Sequence, residues 1–370
     1  MSNSTAYAVR GAVKLNGQVI QGWSAFDVNN NSYSSADTFT CTFLANKLPP
    51  AQNADWFSSQ KDAYVELFVG TPANPLKWTA TELPSWIYGQ VDHIDYEPCS
   101  GTISVSGRDL TRLLIDAKTT EKWQNKTASQ IATILAQRHG LTAQVVATKT
   151  QVGKYYEIDH EQMHDARTEW DLLTHLARIE QFDVHVRGQT LFFQPKASST
   201  AAPYPVIWTP PDESTGFPTC SVLDLKLGRA LTVSRGIVVT VRSWNDAAQK
   251  VFTASYPPNA AKQIKPGSAT LPGNATQYFY NIANLTQQAV VQRAYAQYQD
   301  LIQHDMTASF SIPGTSALDV PGTINLSGTG TKWDQPYYPD SIKRKLSFAS
   351  GYTMEVSAKN HSPDSEETTA

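Results

Sequence analysis

The residues with the clearest chemical potential are His160-Glu161-Gln162-Met163-His164, a literal H-E-x-x-H. On a helix, histidines four apart project from one face and can share a zinc ion, while the glutamate between them activates the metal-bound water. Such a helix is packed beside a cleft by apolar neighbours. Here Asp159 and Asp165 flank the motif, and Met163 is its one apolar interior residue. The preceding Tyr155-Tyr156-Glu157-Ile158 has the character of a strand, which puts the histidines on a strand-to-helix loop. Spacing assigns no third ligand, although Glu169 and Glu180 are available. Two readings follow: a zinc-dependent metallopeptidase using His160, Glu161 and His164, or two exposed loop histidines, with the flanking residues favouring the second.

The remaining motifs have structural explanations. Gly107-Arg108-Asp109 ends a strand and precedes Leu110, Leu113 and Leu114, so Asp109 is expected to cap a helix through its free backbone amides. Ser327-Gly-Thr-Gly-Thr331 lacks the Gly-Lys-Ser/Thr of a phosphate-binding loop and reads as a turn. Lys343-Arg344-Lys345 is a single short run, expected on a solvated strand face, and basic residues do not interleave with aromatics into a nucleic-acid platform. Cys41, Cys99 and Cys220 are far apart and form neither a disulfide framework nor a thiolate metal site. No Ser/His/Asp set and no close carboxylate pair is evident from spacing. No catalytic residue, cofactor or metal is assigned outside the H-E-x-x-H alternative.

The chain has 370 residues, with 30 Lys plus Arg against 33 Asp plus Glu and a formal charge of -3, which nominates neither nucleic acid nor an anionic membrane as partner. Charged residues are 17% of the chain, against about 25% in a typical soluble domain, so much of the polar surface is uncharged. No apolar run approaches the ~18 residues of a membrane span, and the N-terminus has no secretory pattern, so a soluble protein is expected. Phe39, Cys41 and Phe43 alternate with Thr38, Thr40 and Thr42, and Val65, Leu67 and Val69 repeat the pattern, so the first hundred residues read as strands. Ile87–Ile94 and Thr102–Ser106 form a hairpin around Glu97-Pro98-Cys99-Ser100-Gly101. The period then changes. Thr127-Ala-Ser-Gln130 is a capping box before Ile131, Ile134 and Leu135, with Gly140 ending that helix. A second helix carries Trp170, Leu173, Leu176 and Ala177, and a hairpin turns at Arg187-Gly188, giving an α+β module over about 110–197.

Residues 197–215 read as a linker or long loop, and strand alternation returns at Ile237, Val239 and Val241. Residues 256–276 look loop-like. A helix over about 286–303 is expected to bury Val291, Tyr295, Tyr298 and Ile302. Met306, Ala308, Phe310 and Ile312 then alternate as a strand, with further strands over 323–326 and 351–358. The two β regions could be related, yet no sharp sequence repeat links them.

Several of these patterns together resemble the baseplate hub proteins of contractile-tailed bacteriophages, the late control protein D group, related to the base of type VI secretion spikes. The resemblance rests on Val105-Ser-Gly-Arg-Asp-Leu-Thr-Arg-Leu-Leu-Ile-Asp116 with Trp123-Gln-Asn-Lys-Thr127, and on Trp170-Asp-Leu-Leu-Thr-His-Leu-Ala-Arg178 with Phe182-Asp-Val-His-Val186 and Leu191-Phe-Phe-Gln-Pro195. It continues through Asp319-Val-Pro-Gly322, Tyr338-Pro-Asp-Ser-Ile342 and Gly351-Tyr-Thr-Met-Glu-Val356, in the family's order and over about two thirds of the chain. It implies a β-rich α+β chain with two tube-like antiparallel β-barrel domains and an inserted small α+β module. The expected division is 1–107 for the first barrel, 108–200 for the module, 201–245 with 305–360 for the second barrel, 246–304 for a loop-and-helix insertion and 361–370 for a flexible tail.

The same resemblance implies a non-enzymatic homotrimer in the virion, in the tail baseplate, assembled in the host cytoplasm. It would be a symmetry adaptor between a hexameric tail tube protein and a trimeric central spike protein, in contact with other baseplate proteins, with a lumen that passes DNA. No membrane and no sequence-specific nucleic-acid contact is expected. In that family the stretch before the Trp170 helix is a variable approach, so H-E-x-x-H there looks accidental. A third reading, a spike-base protein of a secretion machine, would call for a C-terminal needle-like repeat, which the sequence lacks.

Overall fold

The computed structural model describes residues 8–32, 35–119, 121, 123, 125–149, 167–180, 182–195, 202–211, 216–231, 237–246, 248–258, 276–282, 285–302 and 305–360. The first β unit comprises β1 (Arg10–Leu15), β2 (Gln18–Ile20), β3 (Trp23–Asn31), β4 (Thr38–Leu44), β5 (Tyr64–Gly70), β6 (Ser85–Glu97) and β7 (Thr102–Asp109). Its pairings are all antiparallel. Period-two burial follows the sequence pattern: Phe39, Cys41 and Phe43 are buried with Val65, Leu67 and Val69 in one core, joined by Phe26, Val28, Ile103 and Val105. The β6–β7 hairpin turns at the expected residues, with Gly101 at φ +67°.

The α+β module follows. It contains helix Thr111–Asp116, β8 (Lys118–Thr119), helix Ala128–Arg138, β9 (Thr142–Val145), β10 (Arg167–Thr168), helix Glu169–Glu180, β11 (Phe182–Arg187) and β12 (Thr190–Pro195). The capping box forms as expected, the Thr127 and Gln130 side chains each accepting from the other's backbone amide. Leu135, Leu173, Leu176, Leu191 and Phe193 close a core that is separate from that of the first unit. Buried Glu169 ties the two long helices together: Arg138 Nη1 reaches Oε1 at 2.5 Å and His139 Nε2 lies 2.5 Å from Oε2.

The second β unit comprises β13 (Tyr204–Thr209), β14 (Thr219–Cys220) and β15 (Leu223–Arg229), and resumes after an insertion with β19 (Met306–Pro313), β20 (Ile324–Ser327), β21 (Pro336–Ser347) and β22 (Gly351–Lys359). The insertion is β16 (Ile237–Asn245), β17 (Lys250–Tyr256), β18 (Thr276–Asn281) and helix Gln287–Ile302, a three-stranded sheet with the helix on one face.

The structure differs from the sequence expectations at three places. β13 lies inside the stretch read as a linker; its Pro205 is tolerated because the strand pairs with β20 over Tyr204–Ile207 and with β14 only at Trp208 and Thr209, so each half has a free edge. β16 pairs with β17 and β18 within the insertion and not with the second unit, so strands stand where the sequence reads as loop and helix. The helix of the insertion buries Val290 and Ala294, with Tyr298 and Leu301 packed beside them, whereas Val291 and Tyr295 are about half exposed. Small Ala294 lets the helix sit close to the sheet, which turns the neighbouring Tyr295 to the rim against Tyr256, 5.0 Å away.

The two β units share one strand order. The hydrogen-bonded path is β2-β1-β5-β6-β7-β4-β3 in the first and β14-β13-β20-β21-β22-β19-β15 in the second. Counted within each unit, both run second, first, fifth, sixth, seventh, fourth, third. In both, the two path ends are neighbours in sequence: Gln21 and Gly22 separate β2 from β3, and Ser221 and Val222 separate β14 from β15. Among the described residues no ladder closes either path.

The likeness extends to irregularities. The sixth strand bulges against the seventh at Asp92 in one unit and at Asp340 in the other. Each bulged aspartate is held by a cation of the seventh strand, Arg108 Nε at 2.7 Å and Lys359 Nζ at 2.8 Å. This register makes Asp109 the counterpart of Asn360, and their amides donate to equivalent carbonyls, of Asp37 at 2.9 Å and Met306 at 3.0 Å. One pairing differs: β1 and β5 are antiparallel, β13 and β20 parallel.

Packing after β19 leaves no room beside Tyr352. A methyl group on Gly314 would lie 1.9 Å from Cδ1 of that ring. Gly314→Ala is therefore expected to lower stability by about 1–3 kcal/mol through overpacking. The measurement is the thermal unfolding midpoint of the variant against the wild type.

Candidate assembly interface

The two units meet along a β ladder. β21 pairs with β20 only at Pro336 and Tyr337. The rest of that edge is taken by β3 of the first unit, antiparallel, from Ser341↔Asn31 to Ser347↔Ala25. The ladder is extended at both ends, by Ser32 N donating to Asp340 O at 2.8 Å and Phe348 N donating to Ser24 O at 3.3 Å. One sheet thus runs through both units.

Side chains close the seam on both faces. Leu346 packs into the core of the first unit, where Gly11 makes space: a Cβ there would stand 2.4 Å from Leu346 Cδ2. Trp86 lies 4.8 Å from Tyr352 and 6.2 Å from Phe26, and Trp23 stacks on Phe348 at 4.7 Å. On the other face Asp27 is flanked by Lys343 and Lys345; burial raises its pKa and the two lysines oppose the rise.

Arg344 corrects the reading of Lys343-Arg344-Lys345 as a solvated face. Strand alternation sends the two lysines out and the arginine in, and Arg344 is 7% exposed. Its Nη2 donates to Asp319 Oδ1 at 2.9 Å and to Leu318 O at 3.3 Å, and Nη1 donates to Asn30 Oδ1. Asn30 Nδ2 in turn donates to Asp37 Oδ2 at 2.7 Å, and Asn31 N donates to Asp37 Oδ1 at 2.8 Å. The polar chain continues to Asp109, whose carboxylate accepts from Thr111 N and Thr111 Oγ1, both at 3.1 Å. Asp109 therefore holds the first helical amide, as expected, although Leu110 occupies the N-cap position and Asp109 precedes it.

Burial is the main reason that Asp109 is pushed up to about 8, with the nearby Asp37 adding to the rise. Arg344, Asn30 and Asp37 were not linked by sequence reasoning, because their separations carry no periodic signal. Asp319 and Asp109 stood in motifs, but nothing in the sequence brought them to one seam.

His160, Glu161 and His164 lie outside the described residues. Glu169, one available third ligand, is occupied by Arg138 and His139. The Gly-rich turn after β20 is fastened by Asp334, which accepts from Thr329 N at 3.1 Å and Gly330 N at 2.8 Å. A shallow polar recess of about 600 Å³, between the first unit and the module, is lined by Lys14, Asp62, Tyr64, Glu66, Tyr88 and Gln189. Its groups pair with one another or with nearby residues, Gln90 Nε2 donating to Asp62 at 2.5 Å and Lys14 facing Glu66 at 3.7 Å. The arrangement with the most built-in specificity is the seam, which joins surfaces.

Asp109 yields a pH prediction. Its folded pKa is raised above the ordinary carboxylate range near ~3.9, so the folded state binds more protons than the unfolded one between about 4 and 8. Its contribution to stability is therefore greatest below pH ~4 and falls as pH rises towards 8. Asp109→Asn, which installs the residue found at Asn360, is expected to be more stable than wild type at pH 8.5, with the advantage shrinking steadily towards pH 4.5. Thermal midpoints of both proteins across this range check it; a difference that is flat with pH would reject the assignment.

No protein-family model matches the chain, and no curated protein matches it in sequence. Solved structures do match over nearly its whole length. The tail protein from Neisseria meningitidis MC58 is 15% identical with a TM-score of 0.66, covering 96% of this chain and 97% of its own. The prophage MuSo2 43 kDa tail protein from Shewanella oneidensis is 18% identical with a TM-score of 0.65, covering 95% and 98%. The E. coli c3393 protein, a type VI secretion component described as similar to the T4 tail proteins gp27 and gp5, is 11% identical with a TM-score of 0.52, covering 95% and 77%. The chain has the β-rich α+β fold of these tail and secretion-system proteins.

Proposed function

We propose that the chain is a structural, non-enzymatic baseplate hub of a contractile phage tail. It would be a trimeric symmetry adaptor that joins a hexameric tail tube to a trimeric central spike around a DNA-passing lumen. The observation that carries this reading is the shared strand order of the two β units. A chain that contains two similar units lets three copies present six similar surfaces, as a sixfold tube requires, while keeping true threefold symmetry for a spike. Each unit is also suited to a tube-like barrel, since its path begins and ends on strands that are two residues apart in sequence.

In this proposal residues 201–231 and 305–360 form the second tube-like unit, and β16 joins the insertion. The module and the insertion lie outside the tube units and supply contacts to other baseplate proteins in the virion. The seam supports the reading too: it is a ladder with aromatic packing and a buried arginine, the means by which subunits of a ring are held in register.

Native mass of the purified protein, together with negative-stain images, tests the proposal. Three chains of 40.7 kDa give about 122 kDa in a closed ring with a central hole. A compact monomer carrying stoichiometric zinc would overturn it in favour of a metallopeptidase.

A further inference from the structure

The seam inside the chain has an unfilled counterpart. Within one chain, the third strand of unit one (β3) pairs with the distal half of the sixth strand of unit two (β21). The equivalent strands are β15, third in unit two, and the distal half of β6, sixth in unit one. Both present open edges. Among the described residues β15 pairs only with β19. β6 pairs with β5 no further than Gln90, so among the described residues its segment beyond Asp92 pairs only with β7. Open edges of this kind are templates for another strand.

We infer that β15 of one copy adds, antiparallel, to the distal half of β6 of a second copy, and that this head-to-tail seam closes the ring. The inference rests on the hub reading and names the partner surfaces. The register follows from the equivalence of the two units. The bulges set Asp92 on Asp340, so Tyr96 corresponds to Arg344 and Glu97 to Lys345. The pairings of β4 and β19 set Asp27 on Lys226 and Val28 on Leu227. The internal pairs Lys345↔Asp27 and Arg344↔Val28 then translate into Glu97↔Lys226 and Tyr96↔Leu227 between copies.

Charge and burial both agree with that register. The internal seam sets basic β21 against acidic Asp27. The proposed one has the signs exchanged at the paired positions, with Asp95 and Glu97 on β6 and Lys226 and Arg229 on β15, whose one acid, Asp224, stands at the register shift before Lys226. A strand pair is favoured by opposite charges directly across and disfavoured by like ones, so basic β15 suits β6 and not β21. Covering is missing where the counterpart would supply it. Val28 and Ile342 are fully buried in the internal seam, whereas Ile94 and Leu227 are only half-buried. Tyr96 is 49% exposed and Leu223 62%. Arg229 already faces Asp305 at 3.6 Å, so Lys226 is the better probe.

The test uses the full chain with Cys99→Ser and Cys220→Ser, since both cysteines are exposed and close to the strands concerned. Glu97→Cys with Lys226→Cys in that background should give covalent dimers and trimers on oxidation, and neither cysteine alone should. Glu97→Lys and Lys226→Glu should each deplete the trimer peak at limiting concentration, and the double exchange should restore it. A native trimer that fails to cross-link and ignores the charge exchange would overturn this seam while leaving the hub reading intact. A wild-type chain that stays monomeric at high concentration would overturn both.

Discussion

The ladder between β3 and β21 is the constraint on which the rest of the architecture depends. β21 satisfies only a short part of one edge within its own unit, and a long unpaired run of backbone donors and acceptors cannot be left in a packed interior. Pairing with β3 resolves that edge and fixes the register of one unit against the other. A slip of one residue would turn Leu346 and Arg344 outwards and Lys345 inwards. Leu346 then needs the gap left by Gly11, and Arg344 needs Asn30, Asp319 and the carbonyl of Leu318. The glycine, the arginine and its partners are consequences of one backbone choice.

The polar chain behind the ladder is arranged so that few charges are left uncompensated. Arg344 is matched by Asp319 at the margin, and Asp37 is satisfied by backbone and amide donors. The raised pKa of Asp109 lets it hold Thr111 as a neutral group near pH 7, which avoids a second buried charge beside Asp37. The second unit reaches the same end with Asn360, whose Oδ1 accepts from Met306 N at 2.9 Å. Two residues of different formal charge thus meet one requirement at equivalent places.

Much of the fold could be read from the sequence where local rules dominate. The strands around Phe39 and Val65, the β6–β7 hairpin, the Thr127 capping box and the Trp170 helix follow from short-range periodicity and capping chemistry. Where tertiary packing decides, the sequence was silent or misleading. β13 contains Pro205 and was hidden by the composition around it. The helix of the insertion offered two overlapping apolar stripes, and the small size of Ala294 selected the one that buries Val290. The repeat could not be seen in sequence because the units share strand order, a bulge and an ion pair while using different residues, such as Arg108 for Lys359. The seam was invisible for a related reason: Asn30 and Arg344 are joined only once both strands are in register.

Two units of one strand order in a single chain create a problem that their likeness makes worse. If every third strand could pair with every sixth strand, a chain could close on itself, form dimers or extend without limit. The internal seam is selected by connectivity, because β3 and β21 belong to one molecule and meet at high effective concentration. In the seam proposed between copies, pairing has no such advantage and must rely on chemistry. Exchanging the signs of the charges supplies it: β15 is basic where β3 carries Asp27, and the β6 edge is acidic where β21 is basic. Each third strand then matches one sixth strand and repels the other. The differences between the two units, which hide the likeness in the sequence, would in this proposal let a chain with two similar halves assemble in a single order.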